Sequence, residues 1–215
     1  MNSCITCKEA IEHCMSTHTF AFAHLYGDEK IMDMHIHNCC EVYYSISGGK
    51  QFLIDHCLYD IRPGDLFLIN QFESHHLTQI DQQTHERIIL SIDPEYLSKL
   101  STGVTDLGHC FSFRDTRMPH QIHLSPKEQN RFMYFIHELH DDGGMGEDLL
   151  DQAIFLELMV FLNRAFAARC TDAAAPAQAP SSNYHAQVDA ILSYINSNIG
   201  EPLTLAGLSA HFFMS

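Results

Sequence analysis

Between residues 19 and 124 the chain alternates short apolar segments with turns rich in glycine, proline and aspartate. Arg62-Pro63-Gly64-Asp65 is one such turn, and Gly48-Gly49 has the form of a tight hairpin. Many short strands at this regular spacing are typical of a β-sandwich or barrel, with the jelly roll among the options. The predicted strands are Thr19–Tyr26, Ile31–His37, Glu41–Ser47, Lys50–Asp55, Cys57–Ile61, Leu66–Asn70, His75–Ile80, Glu86–Ile92, Phe111–Arg114 and Gln121–Leu124.

The apolar period changes after residue 124, where helices are predicted. Residues 125–128, Ser-Pro-Lys-Glu, form a capping box with proline at the first helical position, so a helix begins there. A second helix, from about Glu147 to Arg169, is apolar around much of its circumference and is expected to be buried on more than one side. Either both helices pack only on the β domain, or part of their surface forms a homodimer interface. The residues predicted for that interface are Phe132, Phe135, Ile136 and Leu139.

Charge and composition restrict the partners. The chain has 215 residues with 27 acidic and 12 basic side chains, a formal charge of −15, and no Lys or Arg after Arg169. These residues are therefore not expected to bind nucleic acid unaided. No transmembrane segment and no secretory signal are visible, so we expect no membrane partner and a cytoplasmic location, with the eight cysteines reduced.

The residues with the strongest chemical signal are His35, His37 and Glu41. Their positions have the same parity, so a strand would place all three side chains on one face. Two imidazoles and one carboxylate form the first half of a facial-triad metal site. A later segment supplies one more imidazole, from His75 or His76.

This pattern, HxHxxxExxxxxxG followed by Pro63-Gly64-Asp65 and a later histidine, resembles the cupin double-stranded β-helix. Residues 35–48 and 61–70 are similar, more narrowly, to the sensor cupin of AraC/XylS-type transcription regulators. The end of the chain agrees: an amphipathic segment, Val188–Ile199, and a turn at 200–205 resemble the opening of that family's first helix-turn-helix, with Thr204 capping its second helix.

The resemblance implies a mainly β fold with added α-helices: a cupin jelly roll, a two-helix dimerisation segment and a partial helix-turn-helix. It also implies a small-molecule effector, a homodimer, and DNA contact only through a region beyond this chain. The expected organisation is an N-terminal arm (1–18), a cupin effector-binding domain (19–124), a helical dimerisation segment (125–170), a linker (171–183) and an incomplete helix-turn-helix (184–215).

Cupin enzymes use the corresponding His, His, Glu and His to ligate a divalent metal, and this chain keeps all four as His35, His37, Glu41 and His75. Zinc, nickel, manganese and iron are the candidate ions. The alternatives are a metal-free pocket, or a metal-dependent cupin enzyme of the dioxygenase or isomerase type. The chain departs from the enzyme pattern at Gln71 and Glu73, where proline and glycine are usual. The residues proposed for the pocket wall are Phe20, Phe22, Tyr43, Phe52 and Phe67.

A second candidate metal site lies near the N-terminus. Cys4, Cys7, Cys14 and His18 have the spacing C-x2-C-x6-C-x3-H, and Cys14 and His18 would share a helix face at i, i+4. Four such ligands in tetrahedral array are what structural zinc requires. The alternative is an N-terminal arm with ordinary thiols.

Overall fold

In the computed structural model of the chain, the described residues are 6–26, 34–48, 51–55, 57–79, 85–112, 120–139, 144–172 and, after them, 190, 191, 194, 195, 198 and 202–212. They belong to two compact units, which divide between residues 172 and 190. The strands are β1 Phe20–Leu25, β2 Cys40–Ser45, β3 Gln51–Ile54, β4 Cys57–Asp60, β5 Asp65–Ile69, β6 His75–Gln79, β7 Arg87–Ile92 and β8 Gln121–His123. The helices are α1 Cys7–Thr17, α2 Pro94–Leu100, α3 His109–Ser112, α4 Pro126–Glu138, α5 Glu147–Asp172 and α6 Leu205–His211.

The strands form two antiparallel sheets, with strand orders β1-β7-β2-β5-β8 and β4-β3-β6. Side chains from both sheets share one interior: Tyr43 and Phe67 come from the first sheet, and Phe52, Ile54 and Leu77 from the second. Strand alternation places these residues inward, as expected for two packed sheets. The predicted fold class, a mainly β jelly roll followed by helices, is confirmed.

The predicted hairpin at Gly48-Gly49 is wrong. Strand β2 pairs with β5 and β7, whereas β3 pairs with β4 and β6, so the chain passes between sheets here. Gly48 has φ +79, and a Cβ atom on it would lie 2.9 Å from Pro63 Cδ. The glycine is needed for this crossing and its close contact, which a local turn signal cannot distinguish from a hairpin.

Two predicted strands do not form over the residues that the structure describes. Residues 109–112 form α3 instead of opening the strand predicted at Phe111–Arg114, because Cys110 N donates to Asn163 Oδ1 of α5 (3.0 Å) and Phe111 is fully buried. In the predicted strand Ile31–His37, the described residues make only an isolated bridge between His35 and His75. Residues 31–33 lie outside the described part.

The predicted N-terminal arm contains a helix that belongs to the core. Thr6 and Glu9 form a capping box at the start of α1, and Cys7, Ala10 and Cys14 are buried on its inner side. This helix contacts β1 and β7. Its capping residues and buried face therefore explain why it is ordered against the sheet.

Helices α4 and α5 cover the outer face of the larger sheet. Tyr44 of β2 packs on Phe132 (ring centroids 4.6 Å apart), and Phe20 of β1 stacks on Phe155 (4.3 Å). The prediction that Phe132, Phe135, Ile136 and Leu139 form the dimer interface needs correction, since all four are buried within one chain. Phe20, and Phe22 with the same parity, belong to this outer face, so neither lines the interior pocket wall predicted for them.

The second unit contains α6. Thr204 Oγ1 accepts a hydrogen bond from Gly207 N (3.1 Å), which confirms the predicted cap. The Tyr194 ring lies on His211, with ring centroids 4.1 Å apart. Most of the predicted helix Val188–Ile199, and residues 173–183 of the linker, lie outside the described part.

Candidate metal and effector site

The four residues predicted for the site come together inside the sandwich. Ligand nitrogens of His35, His37 and His75 all lie within 4.8 Å of one another, and Glu41 on β2 adjoins them. His75 is 1% exposed and points inward, whereas His76 points away, with Nδ1 3.3 Å from Met34 Sδ. His75 is therefore the imidazole that β6 supplies.

The His75 ring is oriented as a ligand. Its Nδ1–H donates to the Glu73 carbonyl oxygen at 2.8 Å, which leaves the lone pair of the neutral ring on Nε2. That Nε2 atom is buried, with no hydrogen-bond partner in the described part of the chain, 3.9 Å from Glu41 Oε2. Burial lowers the pKa of His75, despite the opposing charge of Glu41, so the ring is neutral near pH 7.

His37 is in a different protonation state. Its Nδ1 lies 2.9 Å from the Cys39 carbonyl oxygen and its Nε2 lies 3.1 Å from Glu41 Oε2. Both partners accept, so both ring nitrogens carry a proton. Burial opposes the charge, but hydrogen bonds to Cys39 and Glu41 outweigh it and raise the pKa of His37 to about 10.

Glu41 is the matching anion. It is fully buried, which by itself raises a carboxyl pKa, but the hydrogen bond from His37 and the neighbouring imidazoles lower the pKa of Glu41 to about 2. Without a metal, His37 and Glu41 therefore form a buried ion pair beside a neutral His75.

The residues fit a divalent metal ion. Imidazole suits zinc, nickel, copper and iron, carboxylate suits manganese, and one metal bound here would satisfy the Nε2 atom of His75. His35, His37, His75 and Glu41 would hold it. The backbone carbonyls that accept from the Nδ1 atoms of His37 and His75 fix the direction of both rings, as the outer partners of metal ligands do.

Three of the predicted pocket-wall residues lie next to this site. Phe52 is in edge contact with His75 (5.9 Å between ring centroids) and packs with Tyr43 and Phe67 at 5.0 and 5.2 Å. The Tyr43 hydroxyl bonds to His85 Nε2, and His85 Nδ1 donates to Gly48 O at 2.7 Å. These aromatic rings form a closely packed floor for the site.

Sequence reasoning missed one polar residue beside the site. Ser91 on β7 is the register partner of Glu41, and its Oγ atom is buried without a hydrogen-bond partner among the described residues. A single serine with inward parity in the apolar strand β7 was the available signal. Cys39 Sγ lies 3.3 Å from His37 Nδ1; contact with Cys14 and burial raise the pKa of its thiol, so it stays protonated.

The second metal site predicted near the N-terminus is not assembled by the described residues. Cys7 and Cys14 are buried in the core, and Cys4 lies outside the described part. His18 ends α1 with φ 54, and its Nδ1 lies 2.9 Å from Asp93 Oδ2. The left-handed cap turns His18 off the helix face, so the i, i+4 relation with Cys14 does not form.

In the described part of the chain, no helix has both the length and the apolar character that crossing a membrane requires. No curated protein matches the sequence significantly. Among solved structures, ToxT from Vibrio cholerae matches with a TM-score of 0.53 and 11% identity, over 92% of this chain and 72% of that one.

Smaller matches are found in Bacillus subtilis oxalate decarboxylase (TM-score 0.32, 21% identity, 35% of this chain and 21% of that one) and in an RmlC-like cupin from Shewanella frigidimarina (0.32, 17%, 35% and 68%). Residues 19–159 match the family model of the AraC-like ligand binding domain, which is more than half of the chain. The chain therefore belongs to the family of AraC-like ligand binding domains.

Proposed function

We propose that this chain is the effector-sensing region of a DNA-binding transcription regulator, and that it senses a small molecule at a divalent metal held by His35, His37, His75 and Glu41. The proposal rests on one observation: Glu73 O holds the His75 ring so that its buried Nε2, which has no hydrogen-bond partner among the described residues, faces Glu41. Family membership supports the sensing role.

The bound metal would supply a Lewis-acid anchor for an oxygen or nitrogen atom of the effector. The residues of the chain would balance its charge, fix its position and exclude water. Glu41 balances part of the positive charge, the two oriented imidazoles fix the position of the ion, and the aromatic floor of Tyr43, Phe52 and Phe67 excludes water below it.

Metal content after purification without a histidine tag tests the proposal. We expect zinc, nickel, manganese or iron bound near one ion per chain, and loss of binding in His75→Ala. His76→Ala is the matched control because it removes a neighbouring imidazole that points away from the site. Less than about 0.1 ion per chain, with no thermal shift on adding these metals, contradicts the proposal.

A metal-dependent cupin enzyme would use the same four residues, and it is the second candidate. The match to a ligand-binding domain of regulators favours sensing over catalysis. Oxygen consumption by the iron-loaded protein would favour a dioxygenase instead.

We propose that the chain forms a homodimer through a stripe of α5 that is exposed at Leu149 and Ala153 and partly exposed at Leu156 and Val160. Leu149 is 65% exposed, and Ala153, Leu156 and Val160 continue the same helix face at spacings of three and four residues. A groove of about 580 Å³ between α4 and α5 adjoins this stripe and is lined by Arg131 and Arg164, among others.

Charge is distributed unevenly along this stripe. The start of α5 carries Glu147 and Asp148, whereas its later part carries Arg164. In an antiparallel pair the acidic start of one helix would lie beside the groove of the other, which is lined by Lys127, Arg131 and Arg164 as well as Glu128 and Glu157. This complementarity supports a second copy of the chain as the occupant.

We propose further that an N-terminal segment, whose helix α1 packs on the sheet, ends at residue 18. The cupin domain then ends at residue 124, the helical segment at 170 and the linker at 183, and residues 184–215 contribute to a helix-turn-helix unit. The Thr204 cap of α6 supports this interpretation. Because no Lys or Arg follows Arg169, we expect DNA affinity to require additional basic residues.

A further inference from the structure

The turn between β5 and β6 holds two residues of the site. Glu73 O accepts the Nδ1–H of His75, and Phe72 N donates to His37 O at 2.8 Å. Phe72 has φ 64, a left-handed conformation that is unfavourable for a bulky residue and persists only when the surroundings fix it. Contacts from the surrounding residues must therefore stabilise this turn.

The Glu73 side chain stabilises the turn. Its Oε2 accepts a hydrogen bond from Asn70 N at 2.7 Å, across the turn. The same oxygen lies 3.2 Å from His120 Nε2, an ion-pair distance without hydrogen-bond geometry, and both side chains are largely buried. Residue 120 precedes β8, whose partner is β5, so this contact ties the turn to the edge of the larger sheet.

His120 is itself held in place. Its Nδ1 lies 3.0 Å from the Tyr59 hydroxyl, and the Tyr59 ring packs edge-on against Phe67 at 5.7 Å. The Tyr59 hydroxyl and the Glu73 carboxylate therefore approach opposite ring nitrogens of His120. The contacts thus run without interruption from β4, through His120 and Glu73, to the ring of His75.

We propose that Glu73, His120 and Tyr59 are positioning residues that select the Nδ1–H form of His75 and aim its Nε2 atom at the metal site. This inference depends on the proposed function only for the measurement of zinc affinity. It also explains why this chain has Glu73 where the cupin enzyme pattern has glycine. A side chain at this position stabilises the turn, and the turn orients His75. Outer partners of this kind typically change metal affinity by about 10- to 100-fold.

The test compares Glu73→Ala, Glu73→Gln and His120→Phe in the full chain. The first readout is the ¹⁵N spectrum of the His75 ring in metal-free protein, and the second is zinc affinity by chelator competition. We expect Glu73→Ala and His120→Phe to lose the single Nδ1–H form and to bind zinc about 10-fold or more weakly. Glu73→Gln keeps an acceptor for Asn70 N and should recover most of both.

Glu86→Ala is the matched control, since it removes another Glu–His pair, His24 Nε2 to Glu86 Oε1 at 2.9 Å, on a different part of the sheet. It should change neither readout. An unchanged His75 ring spectrum in both Glu73→Ala and His120→Phe overturns the positioning role, whether or not zinc binds. If zinc binds neither to the unmodified chain nor to any variant, the proposal of a metal site fails. The spectrum of the His75 ring still tests the positioning role of Glu73 and His120 in that case.

Discussion

His37 Nε2 and Glu41 Oε2 lie 3.1 Å apart in the interior of the sandwich, with both side chains almost fully buried. His37 Nδ1 is already committed to the Cys39 carbonyl oxygen, so the contact with Glu41 requires a proton on Nε2. The metal-free site therefore holds a proton on an atom that a metal ion would need. Metal binding and proton binding compete there.

Zinc binding should release protons. Because the pKa of His37 is raised to about 10, its Nε2 carries a proton at pH 7, and zinc must displace about one proton per ion. Calorimetry at pH 7 in buffers of different ionisation enthalpy measures that number. Zinc affinity should accordingly rise about tenfold per pH unit above pH 7. A buffer-independent binding enthalpy would contradict the assigned protonation state.

The stability of metal-free protein should depend on this pair. The raised pKa of His37 stabilises the fold below the ordinary value of 6.5, and this contribution is lost as pH rises towards 10. The lowered pKa of Glu41 stabilises above 4.5, and that contribution is lost as pH falls towards 2. Thermal unfolding should therefore show a midpoint that decreases from pH 6.5 to 10. His37→Gln should flatten this decrease.

The site was largely predictable because its spacing is local. His35, His37 and Glu41 lie within seven residues of one another, and they converge although they do not share a strand: His35 bridges to β6 of the smaller sheet, whereas Glu41 lies on β2 of the larger sheet. The choice between His75 and His76 was not predictable. It depends on the turn braced by Glu73 and His120, residues 47 positions apart in the sequence whose contact only the folded sheets create.

The helical segment illustrates a second limit. An apolar stripe shows that a helix face is buried, but it does not say what covers it. The stripe that includes Phe132 is covered by Tyr44 of the same chain. The Gly48-Gly49 signal failed similarly, since sheet partners are determined by distant strands such as β5 and β7.

Substitutions on α4 and α5 should separate folding from assembly. Phe132→Glu should unfold the domain, since it places an unpaired charge in a fully buried position, where even loss of the ring costs about 3–5 kcal/mol. Leu149→Lys should leave the fold intact and yield a monomer. It places a cation where the proposed partner presents Arg131 and Arg164.

Light scattering and circular dichroism distinguish these outcomes. Val104→Lys is the matched control for Leu149→Lys because Val104 is 96% exposed and lies outside both helices. It should leave the oligomeric state unchanged. A dimer that persists in Leu149→Lys would place the interface elsewhere.

Ser91→Ala should stabilise the metal-free protein. The Ser91 hydroxyl is buried opposite Glu41 and has no partner among the described residues, so it has lost its hydration without a compensating hydrogen bond. Removing it should raise the free energy of unfolding by about 1 kcal/mol, or the unfolding midpoint by about 2–4 °C.

Ser45→Ala is the matched control, because Ser45 is equally buried but its Oγ accepts from Gly48 N at 3.1 Å. That variant should lose about 1 kcal/mol, since it leaves a donor unpaired. If Ser91→Ala and Ser45→Ala were destabilised equally, Ser91 would have a bonded partner in solution. If the stabilisation by Ser91→Ala became smaller when zinc is bound, the metal-bound ligand would be that partner.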